Sequence, residues 1–511
     1  MNTKTLMAAL LAGSALVMAT PAMAQDAATA QESETPDASD ATADAAIAAA
    51  APVDDAQAKI ELLQAQVEAL QESIAQIQSG MVKSTPSWKG APEFADKDSG
   101  FTFKPKGFMQ FDAGVVGYPN GDELRGTVGG LNYNNLGFNT RARRIVFGAE
   151  GSLPGGFKYK AEFNFAQGGV DYEDITLSYD FKESPLTITV GNFYPYSSLE
   201  TMTSSRLGSM LERASFTDAF NYNRRLGVGL SLADKKADKY TLSLGLFSQP
   251  INDSSFTRTG WEVSARGTYS PQFAGGMLHL GASAHKRQNN RESQGAQYRS
   301  RPLTQVTDQR FIDTGTIAAK GDTSVGVELG GIFKSFHFAA EAQKLWVDKT
   351  YDATDFVPLD PESNATPNGT RYDGDPSFTG GYAEVGFYLT GESRGYKGGK
   401  WDRTKVLKPF DKGGWGAIQV NARLDYMDLT DRVADSATVA APYFVNGGKQ
   451  LGYQASIIWN PMDYLRFMAQ VGRTDITGGP RAATVDPTST DPVNERKYHS
   501  TSAAVRAQLE F

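Results

Sequence analysis

From Phe101 onward, apolar and polar residues alternate with a period of two. Phe101, Phe103, Met109, Phe111, Ala113 and Val115 share one face, with Thr102, Lys104, Lys106, Gln110 and Asp112 on the other. Phe157, Tyr159, Ala161 and Phe163 oppose Lys158, Lys160, Glu162 and Asn164, and Val505, Ala507, Leu509 and Phe511 oppose Arg506, Gln508 and Glu510. Successive side chains of a strand point to opposite faces, so this pattern predicts strands. About sixteen such segments of ~8–11 residues recur to the chain end, a length that crosses a membrane when tilted. A soluble sandwich alternates too, and the connections separate the two. Tight turns at Pro154-Gly155-Gly156, Lys182 to Pro185 and Asn460 to Asp463 alternate with long polar connections at 117–142, 193–223, 286–323, 348–380 and 472–499. Short turns on one rim and long loops on the other are the arrangement of an outer-membrane barrel. Tyr269, Tyr426, Trp459 and Phe511 stand near segment ends, where interfacial aromatic girdles belong. The expected fold is therefore all-β, a transmembrane antiparallel barrel over residues 88–511. Residues 390–415 are long where an up-down order expects a short turn, and their threading stays open.

The segments before the barrel follow other rules. Lys4, the apolar run Leu6 to Thr20 and the small residues around Ala22-Met23-Ala24 predict a cleaved signal peptide over 1–24. Residues 25–53, rich in Ala, Asp, Thr and Ser, read as a disordered linker. A heptad follows over 54–79: Ile60, Val67 and Ile74 at one position, Leu63, Leu70 and Ile77 at the other. So short a helix needs a partner to bury that seam, which predicts a coiled coil; dimer and trimer both fit its residues.

Composition changes the picture in two places. The mean hydropathy of -0.38 is compatible with a membrane barrel, because lipid-facing and lumen-facing residues cancel in an average. The net charge of -8 belongs to the leading segments: the first hundred residues carry five basic and fourteen acidic side chains, leaving the rest near neutral. Basic function in the barrel must then come from placement. The absence of cysteine excludes disulfides and thiolate metal sites.

That placement is visible. Lys104, Lys106, Arg144, Lys158, Lys160, Arg225, Arg266, Arg423, Arg466 and Arg506 fall opposite the apolar faces, so in a barrel they line the lumen. Fixed positive charge in a water-filled tube attracts anions, and the planar guanidinium fork suits oxyanions. Interior ion pairs with Glu150, Glu162, Glu262, Asp425 and Glu510 are the alternative use of these residues. The connection 193–223 holds Thr203-Ser204-Ser205-Arg206 and then Arg213; folded inward, it would offer hydroxyl and guanidinium donors at a constriction. No HExxH, G-x-S-x-G or Walker-type spacing occurs, and His279 and His285 read as lumen or rim residues. An enzyme and a cofactor are not expected, and neither is a nucleic-acid partner. The readings carried forward are an anion-selective porin, a general or sugar porin, a barrel enzyme and a structural tether.

The ordered runs Arg143-Arg144-Ile145-Val146-Phe147-Gly148, Tyr172 to Tyr179, Val190 to Tyr194 and Thr203 to Arg213 carry a more specific signal. With Arg310 to Gly315, Gly391 to Arg394 and Gly413 to Gly416, they resemble the phosphate-selective porins O and P, over roughly Trp88 to Phe511. The resemblance implies a sixteen-stranded homotrimeric barrel in outer-membrane lipid, an inward third loop, and arginines leading to a central phosphate site. The family's Ser-Ser-Lys constriction motif stands here as Ser204-Ser205-Arg206, and its pore acid maps onto Glu173 or Asp174. The change from Lys to Arg keeps the charge and alters the geometry.

Overall fold

A computed structural model describes residues 60–73, 87–88, 90–96, 99–119, 127–128, 131–132, 135–251, 260–289, 295–348 and 369–511. The expected signal peptide and linker, and Ile74 and Ile77 of the heptad, lie outside these residues. The chain divides into two units, Met1–Ile77 and Gln78–Phe511. In the first, residues 60–73 form one helix, α1, on which Ile60, Leu63, Val67 and Leu70 are all more than half exposed.

The second unit is a closed barrel. Its strands are β1 Thr102–Val116, β2 Gly137–Leu153, β3 Phe157–Asn164, β4 Asp171–Asp180, β5 Leu186–Phe193, β6 Arg225–Ala233, β7 Tyr240–Phe247 and β8 Trp261–Tyr269. There follow β9 Gly276–Gln288, β10 Gly321–Phe333, β11 Phe336–Asp348, β12 Ser377–Tyr388, β13 Ala417–Arg432, β14 Phe444–Met462, β15 Leu465–Thr477 and β16 Lys497–Glu510. Each strand pairs antiparallel with the next, and β16 closes on β1 from Ser502↔Val116 to Glu510↔Phe108. The sixteen expected strands are all present, in up-down order.

The barrel is inside out relative to a soluble protein. On β7, Leu242, Leu244 and Leu246 are 57%, 52% and 59% exposed, while Thr241 and Ser243 between them are 9% and 8% exposed. Soluble folds bury leucine and expose threonine; only a hydrocarbon surround makes this pattern favourable, and closure leaves no edge unpaired in lipid. The polar inner faces are buried because three connections fold into the lumen. Among the described residues, residues 194–224 enter after β5, residues 295–320 after β9, and part of residues 389–416 after β12. The first carries two short helices, α2 Leu199–Met202 and α3 Ser215–Phe220. Phe216 and Phe220 of α3 pack with Tyr298 and Phe311 of the second connection and Tyr382 of β12. Within residues 390–415, whose threading the pattern left open, a hairpin pairing Gly395–Lys397 to Lys400–Asp402 folds inward from the short-turn rim.

Candidate functional site

The third loop, residues 194–224, is laid across the lumen by polar contacts to the wall. Ser198 caps α2, its Oγ accepting from Thr201 N at 3.3 Å. Glu200 N donates to Glu341 Oε1 at 2.8 Å, Leu211 N to Gln470 Oε1 at 2.8 Å and Ser215 N to Asp425 Oδ2 at 2.9 Å. Glu212 closes the loop onto β2 and β16, accepting from Arg143 Nε at 2.9 Å and Arg506 Nη2 at 2.6 Å. Burial opposes its ionisation, but these two guanidiniums prevail and hold it well below the usual carboxylate range.

The hairpin from the opposite rim meets this loop. Gly398 and Gly399 turn it with φ of 59° and 72°, a region that favours glycine. Buried Trp401 donates its backbone N–H to Thr203 Oγ1 at 3.3 Å, and Arg394 donates to Leu207 O at 2.6 Å and Ser209 Oγ at 2.8 Å. The free lumen runs along the other wall. Glu262, Ser264, His285, Ser324, Glu341 and Glu384 on β8 to β12 are buried, whereas Lys104, Lys158, Lys160, Thr176, Ser178 and Thr189 on β1 and β3 to β5 stay partly exposed.

The sequence-predicted cations divide into two groups. Arg506 engages Asp112, Glu212 and Leu211 O with all three of its nitrogens; Arg266 is closed onto Glu328 and Gly399 O; Arg423 is held by Glu384 and Glu200 at 2.6 Å each. These three, expected to face a passing anion, are built into the wall, because a guanidinium taken out of bulk water needs a carboxylate. Lys106 pairs with Glu150, Lys158 with Asp180, Lys160 with Glu162 and Asp174, and Arg225 with Glu262. Arg206 lies 3.3 Å from Glu510 and stacks on Phe108. Thr203 uses its hydroxyl on Leu199 O at 2.8 Å. Lys104 is partly exposed on the inner face of β1.

The second group has no carboxylate within 4 Å among the described residues. Arg144 donates to Gln110 Oε1 at 2.9 Å, Arg213 to Thr201 O, Thr203 O and Tyr194 Oη, and Arg466 to Arg206 O and Gly208 O. Arg144 and Arg213 line one cavity with Ser204, Ser205 and Arg394. Arg394 also opens on a smaller cavity beneath, with Arg466 and Arg403.

Sequence reasoning missed several of these neighbours. Arg394 and Lys400 sit in the stretch whose threading was open. Lys400, at the hairpin tip, keeps an exposed side chain. Arg224 joins both proposed pore acids, pairing with Glu173 and, at 2.5 Å, with Asp174. Both acids face the lumen because β4 carries an extra residue opposite β3, between the pairs Ala161↔Ile175 and Phe163↔Tyr172. A similar irregularity beside Gln110↔Arg144 turns both Arg143 and Arg144 inward.

Comparison with known proteins gives a consistent result. The model of the family described as phosphate-selective porin O and P matches residues 121–511. An uncharacterised protein of Caulobacter vibrioides is 35% identical over 435 residues, 83% of this chain and 77% of the relative. Porin O of Pseudomonas aeruginosa is 26% identical over 369 residues, 68% of this chain and 78% of that porin. The outer membrane channel DcaP of Acinetobacter baumannii aligns over 82% of this chain and 99% of its own at 14% identity, with a TM-score of 0.45.

Proposed function

Since this chain belongs to the phosphate-selective porin O and P family and closes into an outer-membrane barrel, we propose that it is an anion-selective channel for passive uptake of phosphate or related small anions. The observation that carries this reading is the cluster Arg144, Arg213 and Arg394, without carboxylate partners, on one cavity with Ser204 and Ser205. The cavity's carboxylates, Glu200, Glu212, Asp218 and Glu384, are engaged by Arg423, Arg143 and Arg301, so an oxyanion reaching it exchanges hydration water for charge-assisted donors, while a cation meets an excess of positive charge. The paired residues hold the wall and the loop in place around it. Arg466 extends the positive field below the constriction. The proposed assembly is a homotrimer, with the heptad face of α1 helping to gather three copies.

The test is block of chloride current in a planar bilayer by added phosphate. A saturable reduction supports an internal phosphate site. Undiminished chloride current removes the phosphate site and leaves the second reading, a general or sugar-permeable porin. That reading draws on Arg206, which stands where the family motif has Lys and is engaged by Glu510.

A further inference from the structure

The connection between β12 and β13 does more than enter the lumen. After the hairpin it returns to the short-turn rim, where Val406 is buried against Tyr388 and Ala417. Residues 407–415 then form a compact loop, closed by Gly414 N to Pro409 O at 3.1 Å and Gly416 N to Lys408 O at 2.9 Å. Its large apolar side chains are uncovered: Trp415 is 79% exposed, Phe410 59% and Leu407 58%. Lys405, Lys408 and Lys412 are exposed among them, and Asp411 is the one acid between residues 405 and 415. The loop adjoins the outer surface of the barrel, because Trp459 donates its indole N–H to Trp415 O at 2.8 Å. The Trp459 ring stacks on Phe467 at 5.5 Å, and both stand on the lipid-facing side of β14 and β15.

Hydrocarbon alone does not suit three lysines, and water alone does not suit Trp415, Phe410 and Leu407. The zone that accommodates both is the headgroup boundary of a leaflet with anionic lipid. Short turns mark the periplasmic rim, so the leaflet is the inner one. We propose that residues 405–415 are an interfacial foot that binds anionic phospholipid, with Trp415, Phe410 and Leu407 at the acyl boundary and the three lysines on headgroup phosphates. This does not depend on any phosphate site in the lumen.

The test is tryptophan quenching in the full chain refolded into vesicles. Either the phosphatidylcholine or the phosphatidylglycerol of a fixed mixture carries bromines on its acyl chains. The signal lost in Trp415→Phe reports this one indole. A lysine near an anionic surface favours it by roughly fivefold, so after mutual screening Trp415 should respond at least ~3-fold more strongly to brominated phosphatidylglycerol. Exchanging Lys405, Lys408 and Lys412 together for Gln should abolish that preference and leave the quenching itself. Trp415 unquenched by either lipid overturns the proposal and places the loop in water or against a neighbouring subunit. Equal quenching in the unmodified chain, or a preference that survives the triple exchange, overturns the lysine contact.

Discussion

Arg423 and Arg144 mark the two uses of a guanidinium inside this barrel. Arg423 is buried between Glu384 and Glu200, so removing its charge leaves two desolvated carboxylates; breaking such a pair costs roughly 3–5 kcal/mol. Arg423→Met should therefore lower the urea midpoint of the refolded barrel clearly, whereas Arg144→Gln, which loses one bond to Gln110, should barely move it. Phosphate block should show the opposite order. A hydrogen bond to a charged group is worth roughly 1.5–3 kcal/mol, so Arg144→Gln should raise the blocking phosphate concentration about 10-fold or more. Arg206→Ala should raise it less, because Glu510 already engages that side chain. The pH response follows from Glu212, whose depressed pKa means that its contribution is complete above the ordinary carboxylate pKa of about 4.3 and is lost only on acidification well below it. Single-channel conductance should thus stay quiet from neutral pH down to that value and become noisy in stronger acid, while Glu212→Gln should be noisy at neutral pH. The residues themselves were visible in the sequence as polar positions of alternating strands. Their partners were not: Arg423 meets Glu200 across 223 positions, and strict alternation hid the inward turn of Arg143. Two adjacent charges inside an alternating strand, as at Arg143-Arg144 and Glu173-Asp174, were the available sign of a bulge.

Among the elements, the strands were legible because each has a lipid face and a water face, and period two records both. The third loop was legible from its length and its Ser-Ser-Arg run. Residues 395–402 were not, because an inward hairpin packs on polar lumen residues and carries no periodicity of its own. It makes specific contacts instead: Arg394 at its base holds the carbonyl of Leu207 and the hydroxyl of Ser209, and the backbone N–H of Trp401 donates to Thr203 Oγ1. The hairpin and the third loop therefore support each other. Replacing residues 395–402 by a short Gly-Ser turn should leave the sixteen-stranded pairing intact, since that segment contributes no barrel strand. It should raise single-channel conductance and weaken anion preference together, measured in the same bilayer. Unchanged conductance would mean that the hairpin does not border the conducting path.

For the whole molecule, a wall that exposes leucine and buries threonine is stable only in lipid, and the assembly we propose gives the exposed heptad face of α1 its partners. Deleting residues 25–80 should weaken trimers without abolishing them, as native mass measurement of the detergent-extracted protein would register. A monomeric full-length mature protein would contradict the assembly. Near-neutral overall charge in the barrel says nothing of selectivity, because the paired ions of the wall cancel and the guanidiniums without carboxylate partners share one cavity beside the third loop. That placement is the central claim, and the zero-current potential across a planar bilayer under a potassium chloride gradient tests it most directly. The sign should be that of chloride permeating faster than potassium, and Arg144→Gln should move the potential toward zero. A potential of the opposite sign, set by potassium, would contradict the account.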